Sequence, residues 1–130
     1  MSENEKVVQK IFEAYNRHDW DAMMDHFSDD ATAVWPNGSR GDKEGIRKHV
    51  DALAIFPDSR VQVDRMVSQG NTVVVEWTFT GTHRGEWLGI PATNKKVENL
   101  GVWILDFEAG KVKLWKVYFN VRRLEQFLRE

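Results

Sequence analysis

Two periodicities divide this chain. In its first part apolar side chains recur three or four positions apart, and in the remainder they alternate with polar ones. Val7, Val8, Ile11, Phe12 and Tyr15 fall on one face of a helix. Ser2 and Glu5 open it as a capping box, each side chain placed to reach the other's backbone N–H. Asp19 caps a second, shorter helix that turns Met23 and Phe27 inward. Ala31 to Trp35 reads as a short strand, closed by the turn residues Pro36-Asn37-Gly38. Asp42 caps a third helix with Ile46, Val50 and Leu53 on one side.

The alternating part predicts a meander. Val61, Val63 and Met66 mark its first strand, and Gln69-Gly70-Asn71 turns the chain. Thr72 to Thr82 follows, with Val73, Val75, Trp77 and Phe79 on one face. Val97 to Phe107 places Asn99, Gly101 and Trp103 on one face and Leu100, Val102 and Ile104 on the other. Glu108-Ala109-Gly110-Lys111 is a hairpin turn, Lys111 to Phe119 a last strand, and Val121 to Arg129 a closing helix. Asn120 precedes that helix and reads as its cap rather than as a catalytic amide. Helices followed by strands indicate an α+β fold. No repeat, linker or low-complexity segment breaks residues 1–130, which read as a single domain.

Composition narrows the function classes. At 42% apolar and 29% charged residues, the 130-residue chain has globular composition and room for one core. A net charge of −2 offers no basic field, so neither nucleic acid nor an anionic membrane is an expected partner. Cysteine is absent, which removes disulfides, thiol nucleophiles and zinc–thiolate sites. No apolar run reaches membrane-spanning length and the N-terminus is acidic and polar, so a soluble cytoplasmic protein is expected.

Five motifs carry a family resemblance. They are Phe27-Ser28-Asp29-Asp30, Phe56-Pro57-Asp58, Gly81-Thr82-His83-Arg84-Gly85-Glu86-Trp87-Leu88-Gly89-Ile90-Pro91-Ala92-Thr93, Phe107-Glu108-Ala109-Gly110-Lys111 and Trp115-Lys116-Val117-Tyr118-Phe119-Asn120. In this order the chain resembles SnoaL-like proteins and limonene-epoxide-hydrolase-type members of the nuclear transport factor 2-like superfamily. The resemblance implies a cone, with N-terminal helices packed on a curved antiparallel sheet enclosing one pocket. It also implies a homodimer formed through the outer sheet face, where Val74, Leu100, Val102, Ile104 and Tyr118 fall. The Arg-x-Asp pair of the epoxide hydrolases falls on Trp77 and Phe79, and their last-strand Asp on Val117. Their water-holding positions fall on Ala33 and Trp35. A valine moves no proton, so acid-catalysed epoxide opening is not expected here.

An aromatic lining stands in place of those acids. Phe12, Trp35, Trp77, Phe79, Trp103, Trp115, Val117 and Phe119 map to the pocket. The rings either wall an open site for a small hydrophobic guest, flat or cationic, or fill the cone outright. Trp20 and Trp87 read as half-exposed. Polar candidates for acid–base work are Tyr15, His83 at the mouth, and Asn99 beside Trp103. Glu98 points away and is expected to pair with Lys95, Lys96 or Arg84, while His18, His26 and His49 read as solvent residues. Metal-ligand spacing, a phosphate loop and a nucleophile elbow are all missing, so no metal or cofactor is expected. Three classes stay open: a cofactor-free isomerase, cyclase, dehydratase or hydrolase; a non-catalytic binder of a hydrophobic metabolite; and a dimeric interaction module.

Overall fold

Every α-helix opens at a side-chain cap. The computed structural model describes residues 1–130. Ser2 Oγ accepts from the Glu5 N–H at 3.1 Å while the Glu5 carboxylate takes the Ser2 N–H, opening α1 (Glu3–Asn16). Asp19 caps α2 (Trp20–Met24), and Asp42 caps α3 (Lys43–Asp51), which runs on into a 3-10 turn at Ala52–Ile55. Asn120 Oδ1 accepts from the Arg123 N–H at 2.9 Å and starts α4 (Val121–Arg129), so its amide is committed to the helix end. No helix is long and apolar enough to cross a membrane.

Six strands form one curved, unclosed sheet in the order β2-β1-β6-β5-β4-β3. They are β1 (Phe27–Val34), β2 (Arg40–Gly41), β3 (Arg60–Gln69), β4 (Thr72–Thr82), β5 (Lys96–Glu108) and β6 (Lys111–Phe119). The expectation of an antiparallel sheet holds for the meander β3 to β6 but not for the whole. β1 lies parallel to β6, with Ala33 opposite Trp115. Consecutive meander strands pair with each other and must run antiparallel, whereas the long connection from β1 leaves it free to run in the same direction as β6. β1 also begins earlier than expected, so Phe27 faces the core from a strand, opposite Val112, rather than from α2.

Alternation decides which residues face the helices. Val73, Val75, Trp77 and Phe79 are buried, while Val74, Glu76, Thr78 and Thr80 between them are half-buried. On β3 a bulge between Val63 and Arg65 restores the phase, which brings Met66 to the face of Val61 and Val63 despite the odd spacing. Gly101 pairs with Trp77, and a Cβ there would lie 2.2 Å from Trp77 Cζ2. The indole lies over the bare backbone, so the strand needs a glycine at this point.

Candidate functional site

The cone keeps a cavity of about 110 Å³ between the sheet and the helices. β3 to β6 supply Val61, Trp77, Phe79, Asn99, Trp103, Trp115, Val117 and Phe119; Tyr15, His49, Leu53, Phe56, Trp87 and Leu124 complete the wall. Twelve of these 14 residues are hydrophobic, and the other two are His49 and Asn99. An apolar cavity of roughly 150 Å³ holds one benzene ring. The aromatic side chains therefore fill most of the cone and leave space on the scale of a single ring.

Trp103 is the hub of the packing. Phe12 stacks on it at 4.5 Å and 19°, Trp115 meets it edge-on at 4.9 Å, and Trp77 approaches at 6.2 Å. Phe12 thus backs the wall from α1 instead of lining the cavity. Trp35 is also one layer back, stacked on His49 at 4.4 Å and 27°. The other predicted pocket residues, Trp77, Phe79, Trp103, Trp115, Val117 and Phe119, come together around the cavity. Trp87 and Trp20 are both half-buried; Trp87 reaches the cavity, and Trp20 meets the Tyr15 ring edge-on at 5.3 Å.

The histidines are arranged differently from the sequence reading. His49 is not a solvent residue: it lines the cavity, stacks on Trp35 and meets the Trp115 ring at 5.9 Å and 77°. Burial alone pushes its pKa down to about 4, with no neighbouring charge contributing, so the ring is neutral near pH 7. His83 is fully buried and does not line the cavity. Its Nδ1 accepts the Thr93 N–H at 3.2 Å and lies 3.0 Å from the Thr93 hydroxyl, so a neutral ring carries its proton on Nε2. That Nε2 has no partner. His83 closes the β4–β5 loop rather than standing at the mouth. His18 is exposed, with Nε2 2.8 Å from the Ser59 carbonyl oxygen, and His26 is half-buried.

Tyr15 and Asn99 both reach the cavity wall. Burial raises the Tyr15 phenol well above its ordinary pKa, opposed by the nearby Ser59 hydroxyl, so Tyr15 keeps its proton and serves as a donor. Asn99 is buried on the inner face opposite Phe79. Together with Leu124 it separates the cavity from an outer groove that Lys96 and Arg123 also line. Trp77 and Trp115 line the cavity with their rings, while their indole N–H groups are buried without a partner and present no surface to it. Glu98 is exposed and forms no ion pair with Lys95, Lys96 or Arg84; Lys95 donates instead to the carbonyls of Phe127 and Glu130, and Arg84 to Asn94 Oδ1.

Comparison with known proteins fits this architecture. No protein of curated function matches the chain by sequence. Among solved structures, the proposed hydroxylase AclR of Streptomyces galilaeus is 27% identical over 99% of this chain and 97% of its own, with a TM-score of 0.91. A proposed polyketide cyclase from Xanthomonas campestris pv. campestris is 20% identical over 97% of this chain and 96% of its own, with a TM-score of 0.85. IdmH of Streptomyces antibioticus, also a proposed polyketide cyclase, is 23% identical over 95% of this chain and 97% of its own, with a TM-score of 0.83. The profile of the SnoaL-like domain matches residues 8–115, from α1 through the cavity-lining Trp115, and the chain belongs to that family.

Proposed function

We propose that this protein holds one flat, ring-containing small molecule bearing oxygen in its aromatic cone. One observation carries the reading: a cavity of about 110 Å³ walled by Trp77, Phe79, Trp103, Trp115 and Phe119, with His49 and Asn99 as its polar groups. A ligand ring stacks on the indoles, and its carbonyl or hydroxyl oxygen accepts from the Asn99 amide or the Tyr15 hydroxyl. The likeness to proposed polyketide cyclases supports oxygenated ring compounds as the ligand class. Small aromatic probes should quench tryptophan emission saturably, and Trp103→Ala should weaken that binding about tenfold by removing the stacking hub. Emission unmoved by any such probe would mean that the rings only fill the core.

A second reading makes the site catalytic, as a cofactor-free cyclase or isomerase. Tyr15 is the hydroxyl on the cavity wall that could act as its acid, and burial makes that phenol a weaker acid than a free tyrosine. With Val117, Trp77 and Phe79 on the wall and no carboxylate among the lining residues, paired-acid epoxide opening has no support. Assembly is proposed as a homodimer through the outer sheet face, where Leu100 is 60% and Tyr118 43% exposed. Solution scattering that returns a monomer at high concentration would remove that part.

A further inference from the structure

His49 is the cavity's most distinctive polar group, and nothing in the family comparison assigns it a role. It projects from the last turn of α3 with its ring clamped by two indoles, Trp35 face-on and Trp115 edge-on. Clamping sets the orientation of the ring without engaging its nitrogens. No side-chain hydrogen bond or charge offsets the loss of hydration that comes with its burial. A neutral imidazole has one acceptor nitrogen and one N–H. The rest of the wall is apolar apart from the protonated Tyr15 phenol and the Asn99 amide. Half-buried at the cavity wall, His49 is the acceptor on the helix side, and the Asn99 amide carbonyl is the one on the sheet.

We infer that His49 accepts a hydrogen bond from a hydroxyl or enol O–H on the ring-bearing ligand, so the ligand class is hydroxylated or enolised ring compounds rather than plain hydrocarbons. This rests on the cavity-binding reading above and adds a donor requirement to it. A ligand hydroxyl is both donor and acceptor, so one group can serve His49 through its hydrogen and the Asn99 amide N–H through its oxygen. A hydrocarbon ring satisfies neither. The partner groups left unpaired set the discrimination.

The test uses probes of one ring, matched to the cavity: p-cresol and toluene, titrated into the full chain and into His49→Phe and His49→Gln. Phenylalanine keeps an apolar ring against Trp35 and removes both nitrogens; glutamine keeps an acceptor. His49→Phe should lower p-cresol affinity about tenfold and change toluene affinity by less than about twofold, and His49→Gln should recover part of the loss. The ¹⁵N resonance of the His49 acceptor nitrogen should move on saturation with p-cresol and not with toluene. Unchanged p-cresol affinity in His49→Phe, or an unmoved ¹⁵N resonance at saturation, overturns the inference. If neither probe binds the wild-type chain, the cavity reading itself fails and this inference falls with it.

Discussion

Two corners of the cone each hold a histidine packed against aromatic rings, and they do opposite things. At the β4–β5 loop, His83 is 5.8 Å from the Phe56 ring and tied through Nδ1 to Thr93, whose hydroxyl in turn accepts the Lys95 N–H at 3.2 Å. The Arg84 N–H bonds to the Ile55 carbonyl, pinning the same corner to the 3-10 turn. At the α3 corner, His49 is held by ring stacking alone and borders the cavity. One imidazole is spent on architecture, while the other is oriented and left free. Reactivity in a fold of this kind follows from what the ring nitrogens already do, not from how prominent the surrounding motif is.

The largest test of this contrast is on stability. His83→Ala removes a fully buried ring and the acceptor of the Thr93 N–H, and should cost about 3 kcal/mol in chemical denaturation. His49→Phe, which keeps the ring stack and removes a desolvated polar group, should stay within about 1 kcal/mol of wild type. Equal losses in the two variants would erase the distinction between the corners.

Acid sharpens it further. Above pH 6.5 His49 is neutral folded or unfolded, and its burial has no pH-dependent cost. As pH falls from 6.5 toward about 4, the unfolded chain takes up a proton that the folded chain refuses, so stability declines across that window and levels off below it. The ceiling for this group is about 3 kcal/mol. His26 contributes in the same direction, because burial and then Lys10 and Lys111 depress its pKa. The carboxylates of Glu5, Asp30 and Asp58 have lowered pKa values, so the stability they add is lost from about pH 4.5 downward for Glu5 and from about 3.8 downward for the two aspartates. His49→Phe leaves His26 and the carboxylates in place, so its melting temperature should fall less steeply between pH 6.5 and 4. Parallel melting curves for the two proteins would show that His49 is accessible to solvent protons in the folded state.

The meander was legible because its evidence is local. Val73, Val75, Trp77 and Phe79 announce a strand with one buried face, and Ser2, Asp42 and Asn120 announce helix starts. The parallel pairing of β1 with β6 was not, since no residue near Ala33 encodes a partner as distant as Trp115. His49 was missed for a different reason. Ile46, His49, Val50 and Leu53 are spaced as i, i+3, i+4 and i+7, which puts His49 on the apolar stripe of α3, but its polar character outweighed its position. His83 had the reverse error: its chemistry suggested a proton carrier, and its tie to Thr93 depends on how the loop folds back. Trp77 lying over Gly101 was foreshadowed only by a glycine in mid-strand.

The parallel strand pair has a consequence for how the protein comes into being. β1, Trp35 and His49 leave the ribosome early, but the strand that β1 pairs with and the Trp115 ring that clamps His49 are made near the end. The N-terminal helices can form from local signals, but the wall of the cone cannot close until β6 emerges. Until then the edge of β1 that β6 will cover is bare, and it can be matched by any stray extended segment. Completing the cavity is thus one of the last events of folding, governed by a contact between distant parts of the chain, which is the slow kind.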